Sequence, residues 1–273
     1  MTQAAAAQTE PRAPGAEAVF ASPEAVFAGQ RSRWLDLFTP EARIEDPVGS
    51  ACYENAQRRA AFWDTFIAPQ RRIEFRPRRD FVAAGLVVRQ VVIDTTTPAS
   101  DEPLSVPAII EYRLRGGRID ALRAFWSPRA ATVWFATRGR SGWGALARHN
   151  VRITRRLGLR SLMAFGAALR PSVTPSRANS WIEGLVRAEG GTDWVGEAQL
   201  EVHRGPNMST DRASLRRSLD DLGAAPMIEQ VVCAGREVAA VVAGSEASAA
   251  LLIDAGGGSR PDRLRLVSSS TGE

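Results

Sequence analysis

The sequence contains no lysine, so its 35 basic residues are all arginines. A chain without lysine cannot form a Schiff base with a substrate and lacks the lysine of a Walker A phosphate loop. No GxSxG motif occurs, and no GxGxxG motif follows a strand pattern. Serine hydrolases of the α/β type, P-loop enzymes and dinucleotide-dependent dehydrogenases are therefore not predicted.

Cysteine and histidine are nearly as scarce. Cys52 and Cys233 lie far apart without a CxxC pair, which argues against a disulfide scaffold and against a zinc knuckle. The two histidines, His149 and His203, are too few to bind a metal without carboxylate ligands. We expect no metal and no other cofactor. The scarcity of cysteine, with no secretory signal pattern in residues 1–15, favours a reducing cytoplasm.

Acidic residues are absent from residues 121–182, a stretch that contains 11 arginines. The other 24 arginines are outnumbered by the 30 acidic residues, so this stretch accounts for the formal net charge of +5. No apolar run approaches the ~18 residues of a membrane span. A basic amphipathic helix can instead lie weakly on an anionic membrane surface. The alternative is that its apolar face docks two domains together, and no motif predicts a nucleic-acid partner.

Periodic segments divide the chain into four parts, beginning with a predicted disordered tail at residues 1–16. Residues 17–137 open with helical patterns and continue with strands, an order typical of an α+β fold. The predicted elements of this domain are a strand at 42–46, a helix at 55–67 and strands at 72–76, 86–95, 108–115 and 119–126.

An arginine-rich connector follows at residues 138–175, with two predicted helices that meet at Gly158. Residues 176–273 then repeat the element order of the first domain in shortened form. The sequence repeats as well, because ARIED at 42–46 corresponds to AQLEV at 198–202. We therefore predict a tandem duplication, packed as a pseudo-dimer within the chain or assembled as a homodimer.

The motif EDPVGS at residues 45–50 places an aspartate at the end of a predicted strand. Side chains alternate along a strand, so Ile44 and Asp46 share one face, which we expect to be interior. Arg43 and Glu45 share the other face, which we expect to be exposed. An interior carboxylate loses hydration, so its pKa rises toward neutral pH, as a general base requires. The alternative is that Asp46 only caps the following turn.

Residues 38–50 resemble the signature of ketosteroid isomerases, in which the aspartate of a DPVGS run is the general base. A looser resemblance to ketosteroid-isomerase-like and SnoaL-like proteins of the NTF2-like superfamily extends over residues 20–126. It implies a cone, in which a bent antiparallel sheet wraps around helices and encloses an apolar pocket. The repeat implies two such cones in tandem. The resemblance also implies an isomerase that acts on a lipophilic, steroid- or polyketide-like small molecule with Asp46 as general base.

The resemblance is incomplete at the groups that would stabilise an enolate. The family uses a tyrosine on the first helix and a protonated aspartate on a late strand, and the corresponding positions are Ser22 and Ile110. Tyr112 lies on the same strand face as Ile110, so its hydroxyl is the candidate donor. A non-catalytic binding protein of the same fold stays open as an alternative.

Relatives of this fold open epoxides in polyether biosynthesis with a second carboxylate beside the aspartate, and Glu74 is the candidate for that partner. Its apolar neighbours Ile73 and Phe75 indicate that Glu74 faces outward, unless a one-residue bulge turns it inward. A polyether-type epoxide hydrolase or cyclase that uses Asp46 and Glu74 is therefore the second enzymatic hypothesis.

Apolar residues of the first domain are predicted to line the pocket, although each taken alone fits a packed core at least as well. They are Phe62, Phe66, Ile110, Phe125 and Trp126. In the second domain Val202 occupies the position of Asp46, and His203 points the opposite way. Acid–base chemistry is thus expected only in the first domain, and the second is expected to be a degenerate copy.

Overall fold

The computed structural model describes residues 15–98, 100–187, 195, 197–256 and 260–268. The predicted N-terminal tail lies outside this part of the chain, except for its last two residues. The described residues form two six-stranded sheets that follow one another along the sequence, each packed on its own helices.

The first cone contains the predicted order of elements. They are α1 (Glu17–Phe27), α2 (Arg31–Asp36), β1 (Phe38–Glu45), β2 (Cys52–Tyr53), α3 (Ala56–Phe62), β3 (Arg72–Ala83), β4 (Leu86–Thr97), β5 (Ser100–Arg115) and β6 (Arg118–Phe125). The Asn55 side chain caps α3 by accepting a hydrogen bond from the Arg58 amide. A π-helical turn, Trp63–Ile67, extends α3.

The sheet of the first cone has the strand order β2-β1-β6-β5-β4-β3. β1 and β6 are parallel, and the other neighbours are antiparallel. Because parallel strands end on the same side of a sheet, the residues that follow β1 and β6 lie side by side. This pairing brings Asp46, after β1, next to Trp126, after β6.

Arg59 fixes the path of β1. Its buried side chain donates hydrogen bonds to the carbonyls of Ala42 and Thr39, at 2.7 and 3.0 Å. The pairing of β1 with β6 shifts register between Phe38 and Arg43, so the ladder is interrupted there. The buried guanidinium satisfies carbonyls that the interrupted ladder leaves without a strand partner.

Three helices, α4 (Pro128–Ala136), α5 (Gly139–Leu157) and α6 (Leu159–Ala168), separate the two sheets. α5 and α6 meet at Gly158, whose positive φ of 88° ends α5, as predicted. Ile153 and Leu157 join the core of the first cone, and no described residue of α4–α6 joins the core of the second. Helices α4–α6 therefore cover the first cone. The last part of the predicted connector contacts the second cone instead, because Val173 lies in its core and the Ser172 amide donates to the Gly235 carbonyl at 2.7 Å.

The second cone consists of α7 (Pro175–Arg187), β7 (Gln199–Arg204), β8 (Asn207–Ser209), α8 (Arg212–Asp220), β9 (Met227–Ala234), β10 (Glu237–Ala243), β11 (Ser248–Asp254) and β12 (Arg263–Ser268). Its strand order, β8-β7-β12-β11-β10-β9, repeats that of the first sheet, including the parallel pair β7 and β12. The predicted tandem duplication is confirmed.

The correspondence holds at the level of residues. Glu45 lies opposite Arg123 in the first sheet, and Glu201 lies opposite Arg265 in the second. Each pair forms an ion pair, at 3.0 and 2.7 Å. The segments 42–46 and 198–202 therefore occupy the same place in their sheets.

The outer faces of the two sheets pack against each other. Phe81, Val88 and Ile109 of the first sheet share one buried apolar cluster with Val241 and Leu252 of the second. Charged side chains complete the interface: Arg123 binds Glu237, and Arg265 donates to the fully buried Glu111 at 2.6 Å. The two cones thus form an internal pair, with the inner face of each sheet turned toward its own helices.

Candidate active site

An apolar cavity of about 260 Å³ lies inside the first cone. The inner face of the sheet forms one wall, and helices α1–α3 with the π-helical turn form another. The third wall comes from α4–α6, which we call the lid. Strands β5 and β6 and the residue after them contribute Ile110, Tyr112, Leu122, Ala124 and Trp126. The lid contributes Phe135, Leu146, Arg148, His149, Arg152 and Phe165.

Asp46 is the acidic residue of this cavity. It follows Ile44 by two positions, and the complete burial of Ile44 shows that this face of β1 is interior. The Asp46 carboxylate oxygen Oδ1 accepts a hydrogen bond of 2.5 Å from the Trp126 indole N–H. The sequence therefore predicted the direction of Asp46 correctly.

The turn after β1 is capped by a different carboxylate. The Gly49 amide donates to the Oε1 atom of Glu45 at 2.9 Å, while the carboxylate of Asp46 binds Trp126. Glu45 was expected to face solvent, but it is only 22% exposed and pairs with Arg123 beside the second cone. The prediction was wrong because the outer face of the sheet is an internal interface. This geometry removes turn capping as the reason for Asp46.

The pKa of the Asp46 carboxyl is shifted strongly. Burial raises the pKa from 3.8 to about 6, and the hydrogen bond from Trp126 offsets part of that rise. Asp46 is half-buried and lines the cavity. Its carboxylate is thus mostly ionised at pH 7 yet more basic than an exposed aspartate.

Tyr112 lines the same cavity, and its hydroxyl belongs to a chain of hydrogen bonds with Ser22 and Trp34. Its hydroxyl is hydrogen-bonded to Ser22, and burial raises the pKa of Tyr112 to about 12, so the phenol stays protonated. The Ser22 hydroxyl in turn accepts a 3.0 Å hydrogen bond from the Trp34 indole. Ser22, the position where the family has its tyrosine, is therefore the partner of Tyr112.

Four of the five predicted pocket residues line the cavity: Phe62, Phe66, Ile110 and Trp126. Phe125 does not, and its prediction was wrong. It alternates with Ala124 and Trp126 along β6, so it points to the outer face, where it is fully buried in the cluster between the sheets. A strand whose two faces are both apolar gives no hint of which face lines the pocket.

Glu74 is not brought to Asp46. Ile73 and Phe75 line the cavity, and Glu74 lies on the opposite face of β3, 43% exposed and paired with Arg72 at 2.8 Å. β3 does contain a register shift, but it falls between Pro77 and Arg79, too late to turn Glu74 inward. The two-carboxylate arrangement is therefore absent from the cavity.

Sequence reasoning missed the contribution of the lid. Ser127 followed by Pro128 is a helix start signal, with Ser127 accepting from the Ala130 amide, and it would have revealed α4. His149 faces Phe66 and Phe165 in the cavity, where burial and then Arg152 lower its pKa to about 4. His149 is therefore neutral at physiological pH. Nothing in its local sequence indicated that position.

The second cone lacks these features. Val202 takes the place of Asp46 and is buried in an apolar core. His203 lies beside Glu201, and burial lowers its pKa. Among the described residues, no three histidine, cysteine, aspartate or glutamate side chains are placed to share a metal ion. None of the described helices is long and apolar enough to cross a membrane.

Known families and solved structures are similar to part of this chain. Residues 19–122 match a family model described as a SnoaL-like domain. None of the curated proteins matches the chain. A solved Δ5-3-ketosteroid isomerase from Mycobacterium sp. is 28% identical, with a TM-score of 0.40 over 43% of this chain and 95% of the isomerase.

Two other solved structures are similar to part of the chain. The epoxide hydrolase/cyclase-like enzyme SalBIII is 22% identical, with a TM-score of 0.38 over 41% of this chain and 90% of its own. A protein with a ketosteroid-isomerase-like fold from Catenulispora acidiphila, in complex with trimethylamine, is 16% identical. Its TM-score is 0.39 over 43% of this chain and 90% of its own.

The repeated strand order, with helices on the inner face of each sheet, defines a tandem of two NTF2-like α+β cones. The first cone, which holds the cavity and Asp46, is the part of the chain that is similar to the SnoaL-like domain model.

Proposed function

We propose that this chain is an enzyme in which Asp46 is the general base of a proton transfer on a lipophilic small molecule. The reaction we propose is an isomerisation of the ketosteroid isomerase kind. The observation that carries the proposal is one carboxylate in an apolar cavity, with its pKa raised to about 6 and a hydrogen bond from the Trp126 indole. The SnoaL-like family of this domain supports the reaction class.

The geometry suggests how the base works. The Trp126 N–H occupies Oδ1 of Asp46 and so leaves Oδ2 as the atom that faces a substrate. Ionised Asp46 would take a proton from a carbon next to a carbonyl, while the C–H electron pair moves into an enolate. The neutral acid would then return the proton to another carbon of the conjugated system. A pKa near working pH suits both steps.

Tyr112 is the proposed donor to the enolate oxygen. The Ser22 hydroxyl accepts a hydrogen bond from Trp34 and can donate its own hydrogen to the Tyr112 oxygen. The Tyr112 O–H is then free to donate into the cavity. Such a chain of donors strengthens its last member. In this arrangement Tyr112, hydrogen-bonded to Ser22, would take the place of the tyrosine and the protonated aspartate that the family uses.

A non-catalytic binding protein is the second candidate, and one observation favours it. Ile110, at the position of the family's acid, presents only carbon atoms to the cavity. The enolate would then rely on a single hydroxyl, and the cavity still fits a lipophilic ligand. The two-carboxylate epoxide hydrolase has no such support, because Glu74 lies outside the cavity.

Substitution of Asp46 tests the proposal. With a Δ5-3-ketosteroid as substrate, whose conjugated product absorbs in the ultraviolet, Asp46→Asn should reduce turnover by a factor on the order of 10²–10⁴. Tyr112→Phe should reduce turnover by a factor on the order of 10². His203→Ala, in the second cone, is the matched control and should leave turnover unchanged. Turnover that survives Asp46→Asn would remove the mechanism, and steroid binding without turnover by the wild type would favour the binding protein.

We also propose that the outer surface of the lid makes weak contact with anionic membranes. Trp143, Leu159 and Met163 are 60%, 61% and 68% exposed there, although their side chains are large and apolar. They belong to residues 121–182, which contain 11 arginines and no acidic residue. Apolar side chains among basic ones are typical of helices that lie in an anionic membrane interface. A substrate dissolved in lipid would then be close to the cavity beneath the lid.

A further inference from the structure

Two arginines of the lid line the cavity. Arg148 and Arg152 are one helical turn apart on α5, so they project from the same face, and both belong to the cavity wall with His149 between them in sequence. The polar groups that the lid turns toward the apolar cavity thus include two permanent positive charges.

Neither arginine has a carboxylate partner among the described residues. Arg156, on the next turn, contacts Asp64 at 3.5 Å, whereas the interaction recorded for Arg152 is a 3.4 Å hydrogen bond to the Thr65 carbonyl. The local sequence offers no alternative, because residues 121–182 contain no acid. Burial and the neighbouring Arg156 and Arg148 lower the pKa of Arg152, as expected for like charges without a counterion.

The two charges lie away from the reacting carboxylate. The Trp126 indole, which binds Asp46, has its ring centroid 6.5 Å from that of Phe165, and the Phe165 ring lies 5.9 Å from His149, next to Arg148 in sequence. Apolar groups such as Phe66 and Phe165 form the wall in between. The cavity therefore has a carboxylate in one region, an apolar middle and two arginines on the lid.

We propose that Arg148 and Arg152 bind the anionic group of a lipophilic ligand whose apolar body fills the cavity. A carboxylate, sulfonate or phosphate would supply the missing counterion, and arginine binds such groups with paired charge-assisted hydrogen bonds. The identification of this ligand as the substrate rests on the proposed function. The binding of the anionic group itself does not depend on turnover.

Two dyes with the same aromatic body test the proposal. 1-Anilinonaphthalene-8-sulfonate carries a sulfonate, N-phenyl-1-naphthylamine does not, and both become fluorescent in apolar sites. At low salt the wild type should bind the sulfonate dye about tenfold or more tightly than the neutral dye, the amount expected for hydrogen bonds to a charged group. Added salt should reduce the preference, because Arg148 is exposed and Arg152 is only half-buried.

Variants assign the preference to these residues. In the double variant Arg148→Gln, Arg152→Gln the sulfonate dye should lose its advantage while the neutral dye binds as before. Arg155→Gln, an exposed arginine of the same helix, is the control and should bind both dyes like the wild type. Ile110→Trp fills the cavity and should weaken both dyes. Circular dichroism and melting curves check that each variant is folded.

Three results would overturn the proposal. They are equal affinity for the two dyes, a preference that persists in the double variant, and sulfonate binding that Ile110→Trp leaves unchanged. The last would place the dye outside the cavity. Repeating the titrations with Asp46→Asn separates the two proposals, because that variant should keep the dye preference whether or not the wild type turns over a ketosteroid.

Discussion

Asp46 and Glu111 are both removed from bulk water, but charged neighbours give them opposite behaviour. Burial alone raises the pKa of Asp46. Burial acts on Glu111 too, but Arg265, Arg123 and Arg113 outweigh it, so the pKa of Glu111 lies below its ordinary value. The ionised form of Glu111 therefore stabilises the fold above about pH 4.5, and this contribution is lost at lower pH. The ionised form of Asp46 costs stability instead.

The first prediction at the scale of residues concerns the free energy of unfolding, which ionisation of Asp46 lowers. The folded-state pKa of about 6 exceeds the ordinary value of 3.8, so the folded state binds the proton more tightly. The contribution of Asp46 to the free energy of unfolding is therefore largest below about pH 4. It decreases by about 1–3 kcal/mol as the pH rises through about 6. Asp46→Asn should therefore be more stable than the wild type at pH 8 by that amount and equal at pH 4, in urea unfolding.

The control for that experiment is Asp101→Asn, because Asp101 is an exposed carboxylate. It should change stability little at either pH. An equal effect of Asp46→Asn at pH 4 and pH 8 would show that the carboxyl is not desolvated.

The Trp126 indole gives the second prediction. Its N–H stabilises the ionised form of Asp46 and so lowers the pKa of that carboxyl. Trp126→Phe should move the acidic limb of the kcat/KM profile above its wild-type midpoint of about 6. Trp143→Phe, on the outer surface of the lid, should leave the midpoint in place. A midpoint that moves down in Trp126→Phe contradicts the role of the indole.

Side-chain alternation predicted the site only where one face of a strand is marked. Polar neighbours identified the inner face at Asp46, and the apolar neighbours of Glu74 correctly favoured an outward direction. On β6 the same rule was silent, because Phe125 and Trp126 are both apolar and both faces are buried. The role of Glu45 could not be predicted from the sequence either, since only the fold shows that the outer face of the first sheet contacts the second sheet.

At the scale of elements, the helices at 55–67 and on both sides of Gly158 were predicted, α4 was missed, and long strands were predicted only in part. β3 was expected at 72–76 but extends over Arg72–Ala83. Its second half contains Pro77 and several arginines, which suggest a loop. β3 is an edge strand, where a proline without an amide proton is tolerated beside a register shift. The sequence also did not predict that the helices after β6 cover the cavity. Nothing in the residues around His149 indicates that its side chain faces a cavity.

The prediction at the scale of elements concerns the binding of the lid to anionic membranes. If its exposed apolar residues and arginines contact membranes, the protein should float with anionic phosphatidylserine vesicles at low salt and not with neutral phosphatidylcholine vesicles. The double variant Trp143→Ser, Met163→Ser removes two exposed apolar side chains and should float less. Met208→Ser, Met227→Ser is the matched control, since both methionines are exposed on the second cone. No flotation of the wild type at low salt would remove the membrane contact.

At the scale of the whole molecule, the two copies share a strand order but differ in their interiors. Both cones keep the strand order and the ion pair between the first and last long strands. The first cone keeps a cavity with a carboxylate, whereas Val202, at the corresponding position of the second cone, is buried in an apolar core. The second cone covers the apolar outer face of the first sheet and supplies Arg265 to the buried Glu111. It therefore supports the site without taking part in the proposed chemistry.

Two glycines, one from each cone, bring the backbones of the cones close together, and they give the last prediction. A Cβ on Gly235 would lie 2.6 Å from the Gly49 Cα, a distance that the backbone cannot accept without moving the sheets apart. Gly116 has nearly the same φ, 59° against 57°, but a Cβ there meets nothing within 4 Å. Both alanine substitutions should cost about 1–2 kcal/mol for the left-handed backbone. Gly235→Ala should cost a further 1–3 kcal/mol or so for overpacking, measured as a lower midpoint in urea. Equal losses in the two variants would mean that the cones do not meet at this point in solution.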